Sequence, residues 1–120
     1  MRLDKTKELC KLYNFCYFIT ITVRKGFADV NAVYRIAYSY LHNRDKLARF
    51  ITVKELGKNR TTPHYHLLYF TNKELDYSKL HEHLKRHKLQ HYDIRIERIR
   101  KEEQDITDII RYLSKEREKK

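Results

Sequence analysis

Glycine and proline are nearly missing from this chain, with two Gly and one Pro in 120 residues. Gly supplies the unusual backbone of tight turns and Pro interrupts helices and ladders. Their scarcity excludes collagen-like, Pro-rich and Gly-rich linker architectures and leaves regular elements joined by short polar turns. Trp is absent, and Cys10 and Cys16 are the only cysteines. Two thiols make no disulfide framework, their spacing is not that of a familiar zinc-ligand pair, and they point to a reducing compartment. Long apolar runs are lacking too. The longest, Phe15 to Val23, contains Thr20 and Thr22 and falls well short of the ~20 residues that cross a bilayer. The N-terminal Met1-Arg2-Leu3-Asp4-Lys5 has no secretory apolar stretch. A soluble protein of the cytoplasm, with no membrane partner, is expected.

A length of 120 residues is one ordinary domain, without room for a helicase or ATPase module. What the chain has in excess is positive charge: 27 Lys and Arg against 16 Asp and Glu, a net +11 and a pI near 9.7. Such a surplus favours polyanions, nucleic acid above all, through phosphate contacts and counterion release.

The pattern predicts a short arm or helix over residues 1–13 and a β-branched, aromatic strand from Phe15 to Arg24. A helix follows, capped by Asp29 or Asn31, with Val33, Ile36, Ala37, Tyr40 and Leu41 at helical spacing. Leu47 to Leu56 and His64 to Thr71 read as a hairpin around residues 57–62. Asp76 to Lys88 reads as a helix with Leu80, Leu84 and His87 on one face, and Tyr92 to Ile99 as a half-buried strand. Asp105 to Glu116 is an amphipathic helix striped by Ile106, Ile109, Ile110 and Leu113, before a charged tail at 117–120. The fold class this implies is α+β: a two-layer ferredoxin-like sandwich with a mainly antiparallel sheet, plus a C-terminal helix. Its second sheet face would be partly open to a ligand or to the last helix.

The segment His64-Tyr65-His66 carries the strongest chemical signal. Alternation along a strand puts His64 and His66 on one face, where two imidazoles can chelate one divalent ion. Paired positions in an antiparallel hairpin have a constant sum, so Glu55 facing His64 leaves Val53 facing His66. Cross-strand neighbours stand about 4.5–5.5 Å apart at Cβ. Glu55, His64 and His66 thus form a candidate three-ligand site, and its carboxylate favours Mn or Mg. Seven His in a basic chain make a chance His-x-His the competing reading. His81, His83 and His87 fit solvent or phosphate contact better, and His42 and His91 fall near element ends.

Of the ten tyrosines, Tyr13, Tyr17, Tyr34, Tyr38, Tyr40 and Tyr92 suit the core or its rim, with hydroxyls reaching water. Tyr65 and Tyr69 point away from the histidine face. Tyr112 lies roughly 100–110° from the centre of its helix's apolar stripe, at the helix edge, with Lys115 one turn on. A phenol is a weak nucleophile until a cation or metal assists its deprotonation. Helix geometry alone favours a plain boundary tyrosine; the pairing with the His-x-His strand favours a nucleophile.

Three segments together resemble the HUH endonuclease superfamily, in particular the rolling-circle replication initiators (Rep proteins) of plasmids and small viruses. The Thr-rich strand is matched by Phe18-Ile19-Thr20-Ile21-Thr22 and the His-hydrophobic-His motif by His64-Tyr65-His66, with Glu55 acidic on the neighbouring strand. Tyr-x-x-Lys is matched by Tyr112-Leu113-Ser114-Lys115. The motifs run in the family's order from residue 15 to 115. The resemblance implies nicking of single-stranded DNA by Tyr112 with Lys115 beside it, a 5′-phosphotyrosyl link, a free 3′-hydroxyl, rejoining without ATP, and a Mn or Mg cofactor. An origin or hairpin is the expected target, with Arg24, Lys25, Lys58 and Arg60, basic residues flanking the sheet, as candidate DNA contacts. Two departures stand out. No helicase domain follows, which suggests borrowing a host helicase and polymerase. No second tyrosine shares the Tyr112 helix, which raises a homodimer supplying two. A single-tyrosine transposase of the same superfamily and a non-catalytic ferredoxin-like nucleic-acid-binding module are the alternatives. Lys115 argues against the first, and the second needs no His64, His66 and Tyr112 together.

Overall fold

The β-branched and aromatic run Phe15–Val23 forms β1, the most heavily paired strand of the sheet. The computed structural model describes residues 3–23, 29–55, 64–87, 89, 92–100 and 106–112. Before β1 runs α1 (Leu3–Leu12); after it come α2 (Val30–Arg44), β2 (Arg49–Glu55), β3 (His64–Thr71), α3 (Tyr77–Arg86) and β4 (Tyr92–Arg98). Residues 106–112 form a last helix, α4. The four-stranded sheet has the order β2-β3-β1-β4 with every pairing antiparallel. From β1 to β4 this is the ferredoxin-like arrangement expected from the sequence.

The sheet carries an apolar cluster on each face. On one, Tyr17, Ile19 and Ile21 of β1 with Leu67 and Tyr69 of β3 meet Val33, Ala37 and Leu41 of α2. Leu80 and Leu84 of α3 complete that layer. Each such side chain contributes roughly 1.5–3 kcal/mol of hydrophobic stabilisation on burial. Helices α2 and α3 are capped as short polar turns should cap them. Asp29 accepts from Asn31 N, and Asp76 accepts from Ser78 N and Lys79 N.

On the other face Cys16, Phe18, Val53, Leu68 and Phe70 meet Cys10 of α1 and Ile106 and Ile110 of α4. The first segment is therefore a helix that joins this layer, and the face expected to be partly open is covered by α1 as well as by the last helix. Cys10 and Cys16, which sequence spacing left unrelated, meet here as free buried thiols. The hydrogen bond between their side chains, with burial, pushes the Cys16 thiol far up from its ordinary value.

Three further expectations need correction. The second strand, described over Arg49–Glu55, begins at Arg49 rather than Leu47, and Leu56 lies outside the described residues. Residues 46–47 are a turn whose Leu47 is exposed, because Asp45 accepts from Leu47 N and closes the end of α2. His87 is exposed at the C-cap of α3 rather than on its apolar face. Tyr17 is fully buried and its hydroxyl accepts from Leu75 N at 2.9 Å instead of reaching water. Tyr69 does point away from the histidines, and its hydroxyl donates to Leu41 O while accepting from Arg44.

Candidate functional site

β2 and β3 pair so that Glu55 faces His64 and Val53 faces His66, the register on which the three-ligand reading is conditional. Alternation then presents Glu55, His64 and His66 on one face, the face shared with α1 and α4. β1 supplies the other flank, with Thr20 opposite His66 and Thr22 opposite His64.

The side chains converge. Glu55 Oε2 accepts from His66 Nε2 at 2.6 Å, and Glu55 Oε1 lies 3.7 Å from His64 Nε2. The His64 and His66 ring centroids are 5.8 Å apart. His66 is buried at 4% exposure, and its ring is wedged by the Phe18 ring at 5.5 Å. Its second nitrogen, Nδ1, is 3.1 Å from Thr20 Oγ1. α4 brings the candidate nucleophile to the same place. The Tyr112 ring meets the His66 ring edge-on, with centroids 5.8 Å apart at 87°. Ile106 and Ile110 anchor that helix in the sheet's cluster, so Tyr112, at the helix edge, stays 46% exposed. Tyr112 is thus both accessible and in edge-on contact with His66.

The donor set fits a divalent ion. Both Nε2 atoms aim at one carboxylate, so an ion among them would meet two nitrogens and an oxygen. Ligands about 2.1 Å from one ion stand roughly 3 Å apart, wider than the 2.6 Å Glu55–His66 contact and narrower than the 3.7 Å one. Among the described residues no set of His, Cys, Asp or Glu stands in ready-made coordination geometry; the trio is closed on itself by that hydrogen bond. Thr20 fits either tautomer of His66: its hydroxyl can donate to a neutral Nδ1 or accept from Nδ1–H, and the second arrangement frees the Nε2 lone pair. His64 Nδ1 is buried and has no hydrogen-bond partner among the described residues, so its ring is held less firmly than that of His66.

Of the residues expected from sequence, the structure brings Glu55, His64, His66 and Tyr112 together. Lys115, Arg24, Lys25, Lys58 and Arg60 lie outside the described residues. Sequence reasoning missed the contact Thr20 makes with His66 and the wedge formed by Phe18. Both depend on the β1–β3 register, which no short turn fixes. Among the described histidines, His83 packs against Tyr40 and His87, and His81 stacks on Tyr92.

Residues 12–116, a span that includes the whole cluster, match the family described as "Virus, 117-like". The chain is 42% identical over 103 residues to "Uncharacterized protein 117" of Sulfolobus islandicus rod-shaped virus 1, covering 86% of this chain and 85% of the relative. It is also similar to the crystal structure of the hypothetical protein ORF119 from the same virus. That match has 37% identity and a TM-score of 0.77, covering 96% of this chain and 93% of the other. The chain belongs to the viral 117-like family.

Proposed function

We propose that this viral protein is a Rep-like, HUH-type endonuclease that nicks single-stranded DNA through Tyr112 and rejoins strands. The observation that supports it best is the contact of Tyr112 with His66, because residues 55, 64, 66 and 112 have no structural need to share one site. A divalent ion held by Glu55, His64 and His66, Mn or Mg on the chemistry of that set, would polarise a phosphoryl oxygen. Tyr112 Oη attacks the phosphorus; the new bond links it to the 5′ side of the break, and the bond to the 3′ oxygen is lost. The phenolic proton passes to solvent at the exposed Tyr112 edge, and the departing 3′ oxygen takes a proton from solvent and leaves as a hydroxyl. Reversal by another 3′-hydroxyl restores a phosphodiester, and no ATP is consumed. The free 3′-hydroxyl is a primer end, which suits initiation of replication at an origin or hairpin.

The test is incubation with end-labelled single-stranded oligonucleotide and Mn, read on a denaturing gel as a protein-linked band. Tyr112→Phe should abolish that band while leaving oligonucleotide binding within about twofold. EDTA should suppress it and added Mn or Mg restore it. A covalent adduct from the Phe variant removes Tyr112 as nucleophile, and full nicking in chelator removes the ion.

A further inference from the structure

β2 is an edge strand, and the surface alongside it is hollow. A cavity of about 850 Å³ lies at its Arg49 end and another of about 500 Å³ follows it to Val53. The two share Leu12, Tyr13, Arg49 and Phe50 and so form one groove between α1 and the sheet edge. Its charged lining is of a single sign. Lys5, Lys46 and Arg49 supply it, with His42 beside them, and no described lining residue is acidic. All four are exposed, and among the described residues Lys5, Lys46 and Arg49 make no ion pair. Aromatic surface lies between the cations: the Tyr38 ring is 4.4 Å from Phe50 and parallel to His42 within 13°, and Tyr13 is fixed by donating to Leu47 O.

We infer that this groove is a binding track for single-stranded DNA, taking phosphates on Lys5, Lys46 and Arg49 and bases on the Tyr13, Tyr38 and Phe50 surfaces. The choice of a DNA strand as occupant rests on the nicking reading above. Cations interleaved with aromatic rings are what sequence-tolerant single-strand binding requires. An apolar protein partner would strip water from unpaired cations at a cost, and a second copy of a +11 chain would set like charges against each other. The track also leads somewhere. Val53 at its end sits opposite His66, and the six strand steps from Arg49 to Glu55 span roughly 20 Å. A strand lying in the groove is thus delivered toward Tyr112 with several nucleotides already held.

The test is fluorescence anisotropy with labelled oligo-dT, using the full chain in EDTA so that binding is read without cleavage. The groove variant Lys5→Gln, Lys46→Gln, Arg49→Gln is compared with a charge-matched variant on α3, Lys79→Gln, Lys85→Gln, Arg86→Gln. A single-strand phosphate contact contributes a salt slope of about 0.7, or roughly fivefold at 0.1 M relative to 1 M salt. The groove variant should therefore bind about a hundredfold more weakly at 0.1 M with a slope shallower by about 2, and the α3 variant should stay near the parent. Parent-like affinity in the groove variant overturns the track, as does equal weakening in both variants. Unchanged DNA binding with loss of self-association on a sizing column assigns the groove to a second copy and overturns it as well. Groove-dependent binding by a parent that never forms the Mn-dependent adduct supports the track and sinks the nickase reading alone.

Discussion

Thr20 decides which nitrogen of His66 faces the carboxylate, since its Oγ1 takes Nδ1 and leaves Nε2 for Glu55. Outer contacts of this kind typically carry 10- to 100-fold in metal affinity. Thr20→Val should raise the Mn concentration needed for half-maximal nicking by about that factor, and Thr20→Ser should restore it. A Val variant with the parent's Mn dependence would leave Thr20 a packing residue only. Asp45 makes a second argument at this scale. Its buried carboxylate accepts from Thr71 Oγ1 at 2.6 Å and from Leu47 N and Asn72 N. The Thr71 hydroxyl is the main cause that holds the Asp45 carboxyl below its usual range; burial opposes it, and the two N–H groups and Lys73 reinforce it. A carboxylate with a depressed folded pKa stabilises the fold above the unfolded value near 3.9 and loses that contribution as pH falls through the folded one. Asp45→Asn should melt a few degrees lower at pH 7, with the gap to the parent closing below about pH 4. A gap that stays constant with pH would mean the charge is irrelevant there.

α4 is the element on which the site depends most, because it carries Tyr112 and is held in the described residues by Ile106, Ile109 and Ile110. Ile110→Ala removes apolar contact worth roughly 2 kcal/mol or more, and that contact holds α4 on the sheet. The expected outcome is a large fall in adduct yield with oligo-dT affinity nearly unchanged. Equal falls in both would mean that α4 shapes the binding surface rather than aiming the tyrosine. How much of this was legible in the sequence follows from where the constraints are local. The hairpin ties Val53–His66 to Glu55–His64, so one assumed pair fixed the other, and the edge position of Tyr112 followed from helical periodicity. The partner of β1 could not be fixed in that way, since α2, β2 and the β2–β3 connection separate it from β3 in the chain. With that register went Thr20 and Phe18, whereas the meeting of Cys10 with Cys16 depends on how α1 packs on the sheet. The role of α1 was hidden for another reason. Its buried residues include Thr6 and Cys10, a polar and a small side chain that mark no clear apolar stripe.

For the molecule as a whole, the surplus of 27 cationic over 16 acidic side chains acts twice, with opposite signs in salt. A net +11 repels itself in the compact state, and mobile ions screen that repulsion over a Debye length of roughly 10 Å at 0.1 M. The same charge attracts a DNA strand by displacing condensed counterions, and that gain shrinks as free salt rises. Raising NaCl from 0.05 M to 0.5 M should therefore raise the melting temperature of the free protein while weakening oligo-dT binding, a tenfold change that costs roughly fivefold per phosphate contact. The +11 is spread over the chain, whereas the strand touches only a track, so the binding slope should report a few contacts rather than eleven. Differential scanning fluorimetry and anisotropy across one salt series measure both. A melting temperature that falls with salt in step with affinity would mean that surface ion pairs such as Arg98–Glu74, 3.7 Å apart, outweigh the net repulsion. The charge surplus would then serve binding without straining the fold.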